Sequence, residues 1–158
     1  MRRVSWAPYV LLLLALDRVT KNWAARNLAL GDPQPLLGDV IRLTRVHNDG
    51  GAFGLLPGNA WLFVAVSAAA AVGLVIALTV VKTRRWVLRL GLSLVLVGAL
   101  GNLFDRVMWG YVLDFFEFRG FPVFNVADAC ITLGALSLAV YALWGGGTHR
   151  PGRASHRP

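Results

Sequence analysis

The chain has 158 residues, about the length of one domain, and 56% of them are hydrophobic whereas only 15% are charged. Soluble domains carry about 25% charged residues, and the mean hydropathy here is +0.58. This composition excludes an ordinary soluble protein and favours an integral membrane protein. The single cysteine, Cys130, excludes an internal disulfide and a metal or redox centre built on paired cysteines.

Four segments of the chain are predicted to cross a membrane as helices. Residues 60–81 are 22 positions without a charge, about 33 Å of helix, which matches a hydrocarbon core of about 30 Å. Residues 86–105 and 125–144 are two further apolar runs, and residues 6–28 reach spanning length if the helix continues past its charged residues. The fold class is therefore an all-α membrane protein with four transmembrane helices in one domain, residues 1–144.

The first apolar segment has an alternative interpretation as a secretory signal peptide, with Arg2 and Arg3 as its basic start. A cleavage site made of small residues is expected after such a segment. Asp17 and Arg18 stand there instead, so a membrane span is favoured.

Basic residues set the predicted orientation. One side of the four-span arrangement carries nine bases and no acid: Arg2, Arg3, Lys82, Arg84, Arg85, Arg89, Arg150, Arg153 and Arg157. All eight acids lie on the other side or in the helix ends that face it. The positive-inside rule then places both termini in the cytoplasm, and the basic tail, residues 145–158, is expected to be disordered and attracted to the membrane surface.

Two outer segments connect the predicted spans. Residues 31–59 are rich in glycine and proline, with a short strand predicted at residues 40–46 and a turn at residues 48–51. Residues 119–125 predict an ordered loop that lies against the membrane. Because the acids cluster on this side, the chemistry is expected at the outer face.

Several ionisable residues fall within or beside the spans, where each needs a partner or a function. Asp17 and Lys21 are four residues apart on one helical face, so they form either a structural ion pair or part of a polar site. Asp105 and Arg106 close the third span, and Asp105 is either an interfacial anchor or a functional group.

Asp114 and Asp128 are the strongest candidates for catalysis. Asp114 is flanked by apolar residues with no adjacent base, and Asp128 stands at the start of the fourth span, where a helix N-terminus favours negative charge. Two carboxyl groups at one membrane depth can share a proton, so that one takes a proton from water while the other donates to a carbonyl oxygen. A carboxylate dyad is therefore predicted at the outer ends of the third and fourth spans.

Other chemistries have little support in the sequence. Serine or cysteine catalysis needs a neighbouring histidine, and His47 is the only histidine outside the cytoplasmic tail. Cys130 is predicted to serve in packing. The sequence has neither a zinc-binding histidine motif nor a nucleotide-binding glycine loop, so no metal or cofactor is expected.

Five short motifs carry a resemblance to a known family. In chain order they are Asp17-x-x-x-Lys21, Asn48-Asp49-Gly50-Gly51-Ala52-Phe53, Gly101-Asn102-Leu103-Phe104-Asp105-Arg106, Val112-Leu113-Asp114-Phe115 and Phe124-Asn125-Val126-Ala127-Asp128. Together they resemble the lipoprotein signal peptidases, or bacterial signal peptidases II, over residues 6–143. Gly51 replaces a usual alanine and Phe104 a usual smaller aliphatic residue, and neither change affects a polar group.

The resemblance implies an aspartic intramembrane peptidase with catalytic Asp114 and Asp128, built as a four-helix bundle with an extracytoplasmic β-cradle at residues 31–57. Asn48 and Arg106 would bind the substrate backbone. The remaining matched residues would support the site: Asp17, Lys21, Gly50, Asn102, Asp105, Asn125 and Ala127.

The partners that the resemblance implies are prolipoproteins already modified with diacylglycerol, cleaved just before the lipidated cysteine, together with membrane lipids. The enzyme would act as a monomer in the bacterial inner membrane. Two other classes stay open at the level of sequence, a small proton-coupled transporter and a non-catalytic membrane assembly factor. A transporter would also place acids in its spans, but usually near mid-membrane, and the sequence has no inverted repeat. An assembly factor would explain the small bundle but not Asp114 together with Asp128.

Overall fold

The computed structural model describes residues 5–50, 59–80 and 85–145. It is mostly helical, with one small sheet. The elements in chain order are helix α1 (Ala7–Asn27), strands β1 (Gln34–Leu37) and β2 (Ile41–Asn48), helices α2 (Ala60–Val80) and α3 (Trp86–Trp109), strand β3 (Val112–Phe118) and helix α4 (Val126–Gly145).

Three of the described helices have the length and apolar composition of membrane spans: Trp61–Val80, Trp86–Trp109 and Val126–Leu143. Helix α1 has 21 residues, but little more than one turn of it holds three charged residues, Asp17, Arg18 and Lys21. These charges lower its mean hydropathy, although its bounds agree closely with the predicted segment.

The third helix is longer than the predicted span. The prediction ended it at residue 105, whereas α3 continues for another turn to Trp109. The charged residues Asp105 and Arg106 do not end the helix, because both find partners inside the protein. Gly110 ends α3 instead, with a φ of 79° that favours glycine and an N–H bonded to the Arg106 carbonyl.

Helix α3 lies at the centre of the bundle. In its most apolar window 44% of residues are buried, compared with 11% in α2 and 17% in α4. Small residues allow α4 to approach closely, since a Cβ built at Gly134 would lie 2.7 Å from a methyl carbon of Val95. The buried apolar core between the helices is made of Val10, Ala71, Leu78, Leu96, Val97 and Cys130. The packing role predicted for Cys130 is confirmed.

Three antiparallel strands form a sheet in the order β1-β2-β3. The strand predicted at residues 40–46 is present as β2, but it runs on to Asn48, so the predicted turn begins on a strand residue. Residues 51–58 lie outside the described residues. They include the last residue of the predicted turn and residues 52–57 of the expected cradle. Strand β3 was not predicted: Asp114 is on this strand, opposite Val46 of β2, rather than at the end of a span.

The segment after β3 turns back on that strand. Gly120 allows the reversal with a φ of 82°, and Phe124 then exchanges backbone hydrogen bonds of 2.8 and 2.9 Å with Phe116. The predicted ordered loop is therefore paired with the sheet. This pairing holds Asn125, the residue before α4, beside Asp114 of β3.

Candidate active site

Asp114 is a buried carboxyl group whose direct partners are neutral amides. Asp114 is only 1% exposed. Asn125 Nδ2 donates to Oδ1 at 2.7 Å and Asn48 Nδ2 donates to Oδ2 at 3.0 Å. Burial, and then the nearby carboxylate of Asp128, raise the pKa of Asp114 to about 7, because both disfavour its charged form.

Asp128 is held by the capping structure of α4. Asn125 is the residue before the helix, and its Oδ1 accepts from the Asp128 N–H at 3.0 Å. In return, Asp128 Oδ2 accepts from the Asn125 N–H at 3.2 Å, which is a capping box with aspartate as the third helical residue. Asn102 Nδ2 donates to the other oxygen, Oδ1, at 2.7 Å. The helix start therefore fixes where this carboxylate stands.

Both carboxyl groups line one cavity of about 810 Å³. They come from different elements, β3 and α4, and meet because the loop after β3 returns to the sheet. On the side of the sheet, the cavity is lined by residues of β2 and of the segment 121–124. On the side of the helices, it is lined by residues of α2, α3 and α4 such as Phe63, Ser67 and Ile131. The cavity thus extends from the two acids toward the apolar part of the bundle.

Two asparagines connect the acids. Asn125 Nδ2, which donates to Asp114, also lies 3.2 Å from Asn102 Oδ1, and the Asn102 amide in turn donates to Asp128. Asn102 is 6% exposed and Asn125 is fully buried. Because each amide carries both a donor and an acceptor, the pair can orient two carboxyl groups without adding charge beside them.

Below the asparagines lies a buried charge cluster, defined here as Asp17, Arg18, Lys21 and Asp105. Lys21 Nζ is 3.0 Å from Asp17 and 2.9 Å from Asp105, and Arg18 is 2.6 Å from the other oxygen of Asp105. Two acids and two bases therefore balance. The ion pair predicted between Asp17 and Lys21 is present, with Asp105 as a third member. Arg18 was not predicted here, although an ionisable residue within an apolar helix was a signal for it.

The acids of this cluster also bind the backbone next to the candidate dyad. Asp17 Oδ1 accepts from the N–H of Ala127 at 3.0 Å, which satisfies a donor in the first turn of α4. Asp105 Oδ2 accepts from the N–H of Leu113 at 3.3 Å, immediately before Asp114. Each acid thus connects α1 or α3 to the element that carries a dyad residue.

Arg106 and Asn48 also line the cavity. Arg106 donates to the Gly50 carbonyl at 2.9 Å, and its guanidinium carbon is 5.1 Å from the centre of the Phe63 ring. Its Nε is buried without a hydrogen-bond partner among the described residues. Asn48 bonds to Asp114 and accepts from the Gly50 N–H at 3.1 Å, so its amide is used within the protein. Gly50 connects these two side chains.

His47 lies near the cavity but not as the partner of a nucleophile. Its ring stacks on Tyr111 with centroids 3.9 Å apart, and a ring nitrogen is 3.2 Å from the Arg45 guanidinium. Burial and the Arg45 charge lower the pKa of His47. Within the parts of the chain described, no three His, Cys, Asp or Glu side chains form a group suited to holding a metal ion.

Comparison with known proteins decides the family. The sequence profile described as Signal peptidase (SPase) II matches residues 9–144. The chain belongs to this family. It is therefore a protease of the signal peptidase II family, and this membership favours a peptidase over a transporter or an assembly factor.

Related proteins and solved structures agree with the assignment. The chain is 41% identical over 139 residues to the lipoprotein signal peptidase of Clostridioides difficile, covering 85% of this chain and 92% of that one. It is 43% identical over 128 residues to that of Moorella thermoacetica, covering 81% and 85%. A bacterial membrane enzyme solved by the in meso method at 2.3 Å superposes with a TM-score of 0.87 at 26% identity over 95% of this chain and 94% of that one.

Proposed function

We propose that this signal peptidase II family member removes signal peptides from bacterial prolipoproteins whose cysteine carries diacylglycerol, cleaving just before that cysteine. The observation that carries the proposal is that Asp114 of β3 and Asp128, in the first turn of α4, line one cavity. The names of the relatives support the substrate class. An apolar signal peptide is itself a membrane helix whose backbone must be unwound before it can be cut, and the cavity offers a place for this near the interface.

Hydrolysis by the two carboxyl groups requires one shared proton. The ionised carboxylate takes a proton from water, whose oxygen bonds to the scissile carbonyl carbon, while the protonated partner donates to the carbonyl oxygen. The resulting tetrahedral adduct then breaks its C–N bond: the first acid gives its proton to the amine of the lipidated cysteine, while the second acid takes back a proton from one hydroxyl group of the adduct, which becomes the new carboxyl group. The raised pKa of Asp114 supports this scheme, since it keeps a proton in the dyad near neutral pH.

The surrounding residues take the following proposed parts. Arg106 binds substrate carbonyls, which its place in the lining of the cavity supports, and Asn48 contacts the substrate backbone beside Asp114. Support of the site falls to Asp17, Lys21, Gly50, Asn102, Asp105, Asn125 and Ala127, which connect the dyad to its carrying elements by the bonds described above.

The proposed topology has four membrane spans, with α1 as the least apolar of them. Asp17 and Lys21 of α1 are buried and paired inside the bundle, which supports a span. Both termini would then be cytoplasmic in the inner membrane, residues 1–144 would form one peptidase domain, and residues 145–158 would be a cytoplasmic tail. The enzyme is proposed to act as a monomer surrounded by lipid.

The decisive experiment is cleavage of a lipidated precursor by the purified protein in detergent, without an added energy source. We expect release of the signal peptide from the diacylglyceryl precursor and none from a precursor whose lipobox cysteine is replaced by serine. Asp39→Asn, at an exposed position of the outer segment, is the matched control and should retain activity. Lack of cleavage by folded wild-type protein would reject the proposed function.

The topology has its own test in reporter fusions. A reporter joined after Pro57 should be active outside the cytoplasm, and one joined after Arg84 should be active inside. Reversal of either result would reject the four-span arrangement without affecting the assignment of the two carboxyl groups.

A further inference from the structure

Lys21 is a buried cation whose three donors are all used. Its residue is 2% exposed, and an ammonium group has three N–H donors and no acceptor. Two donors go to carboxylates, Asp17 at 3.0 Å and Asp105 at 2.9 Å. The third goes to a neutral group, the Oδ1 atom of Asn102, at 3.2 Å. Simple charge balance does not require this last bond.

The bond to Lys21 matters because an asparagine amide can face its surroundings in two orientations. In the orientation present, Asn102 Oδ1 accepts from Lys21 and from Asn125, while Nδ2 donates to Asp128 at 2.7 Å. Rotation by about 180° would turn the Nδ2 donors toward two other donors and the carbonyl oxygen toward a carboxylate. All three hydrogen bonds would then be lost, and buried polar groups left without partners are costly.

Two residues fix the orientation of the Asn102 amide, Lys21 and Asn125 at the start of α4. Lys21 cannot accept a hydrogen bond, so it admits only the carbonyl end of the Asn102 amide. Asn125 is equally constrained, because its Oδ1 caps the N–H of Asp128 and only its Nδ2 is left to face Asn102. Lys21 also strengthens the amide as a donor, since hydrogen bonds in a chain polarise one another.

We propose that Lys21 is a positioning residue for peptide hydrolysis, which holds the Asn102 amide with its N–H donor on Asp128. This inference rests on the proposed function and adds to it a role for the buried charge cluster. Lys21 acts through Asn102 and does not touch substrate. Without it, the Asn102 carbonyl keeps only its bond from Asn125, so the amide that donates to Asp128 Oδ1 is held less firmly, while substrate binding to the walls of the cavity is unaffected.

Arg18 offers a matched control within the same cluster. It is also a cation paired with Asp105 and Asp17, at 2.6 and 3.4 Å, and its side chain is only 25% exposed. It makes no hydrogen bond to Asn102, however. Replacing either cation by methionine disturbs the charge balance of the cluster, but only the replacement of Lys21 removes a hydrogen bond from the Asn102 amide.

The test measures kcat and KM separately for wild-type protein, Lys21→Met and Arg18→Met on the lipidated precursor. Lys21→Met should lower kcat by about 100-fold, the size of effect seen when one donor is removed from an active site, and change KM by less than about threefold. Arg18→Met should lower kcat by less than about threefold, at temperatures where both variants are folded. A kcat for Lys21→Met within that range of wild type, or equal losses in both variants, would overturn the inference.

A double-mutant cycle separates positioning from a general structural role. Asn102→Leu removes the amide, so adding Lys21→Met to it should cause no further loss of kcat in single-turnover experiments. Additive losses would show that Lys21 acts independently of Asn102.

If Lys21→Met does not accumulate in membranes, a second pair of variants carries the same test. Lys21→Met combined with Asp105→Asn keeps the buried charges balanced, and it is compared with Asp105→Asn alone. Wild-type cleavage with an unaffected Lys21→Met variant rejects this inference alone, whereas inactive wild-type protein rejects the proposed function.

Discussion

Two acids on strand β3 stand in opposite environments. Asp114 faces the cavity with two neutral amides as partners, whereas Glu117, three residues later and so on the other face of the strand, bonds to the guanidinium of Arg42 and the hydroxyl of Thr44. Burial and a second carboxylate raise the pKa of Asp114 to about 7. Hydrogen bonds from Thr44 and Arg42 lower the pKa of Glu117.

The difference shows how one strand can carry a reactive and an unreactive carboxyl group. Amides orient the Asp114 carboxyl group without fixing its charge, so it can gain or lose a proton during a reaction. The hydrogen bonds from Thr44 and Arg42 favour the ionised form of Glu117, which suits a structural contact between β2 and β3. Removing each group in turn should therefore have very different consequences.

The largest contrast is expected between Asp114→Asn and Glu117→Gln. Asparagine cannot exchange the proton, so Asp114→Asn should lower cleavage by a factor on the order of 10³ or more, while Glu117→Gln should stay within about twofold of wild type. Cleavage of lipidated precursor by purified proteins measures both. Substantial turnover by Asp114→Asn in preparations free of host enzyme would exclude the dyad.

Asp128→Asn should be as severe as Asp114→Asn, because neither acid alone can perform both proton transfers. The double variant should lose little more than either single one, since residues that act as a unit fail together. Cys130→Ala, which changes a core residue, should keep its activity, and thiol reagents should have no effect on the wild-type enzyme. Loss of activity on thiol modification would point to a different chemistry.

Arginine at position 106 is expected to matter less than the acids but more than arginine at position 42. Arg106→Lys keeps the charge but loses the planar fork that holds carbonyl groups, and the Gly50 contact with it. We expect a loss of about 10- to 100-fold in kcat/KM, with normal insertion into the membrane. Arg42→Lys, on the sheet, should change kcat/KM by less than about twofold. Equal effects at the two positions would make Arg106 a simple interfacial anchor.

The helices and the candidate catalytic acids could be predicted from sequence because both depend on local signals. Uninterrupted apolar runs give the spans, and an unpaired acid such as Asp114 stands out among apolar neighbours. The end of α3 could not be predicted, because Asp105 and Arg106 continue the helix only by virtue of partners distant in the chain. Charge alone does not say whether a residue will meet water or a buried partner.

Strand β3 and the role of Arg18 were missed for the same physical reason. Strand β3 exists because β2, far away in sequence, pairs with it and because Phe124 returns to bond Phe116. In the sequence, Arg18 follows the end of an apolar run. Its role in the charge cluster depends on the ion pair with Asp105 of α3. Both depend on long-range pairing, for which a single sequence carries no periodic signal.

The pH dependence of cleavage should reflect Asp114 and not Glu117. Since the pKa of Asp114 is raised to about 7, the proton shared by the dyad is present below that pH and is lost above it. Activity should therefore fall on the alkaline side, by about tenfold for each pH unit beyond the pKa, and the apparent value belongs to the pair of acids. The measurement is kcat against pH, with Glu117→Gln giving an unchanged profile. A rate that stays constant from pH 6 to 9 would contradict a shared proton.

The smallest expected effect is on stability. This contribution is lost at acidic pH, whereas the catalytic activity is lost at alkaline pH. Because the folded state lowers the pKa of Glu117, its bonds to Thr44 and Arg42 stabilise the protein above the unfolded-state pKa, and this contribution is lost as the pH falls through the folded-state value. The side chain is 15% exposed and that of Arg42 is 30% exposed, so the contribution should be no more than about 1 kcal/mol. Glu117→Gln should thus lower the melting temperature slightly at pH 7 and hardly at all at pH 3, as measured in detergent. A destabilisation that is as large at pH 3 as at pH 7 would mean that Glu117 stabilises the sheet through its size and hydrogen bonds rather than through its charge.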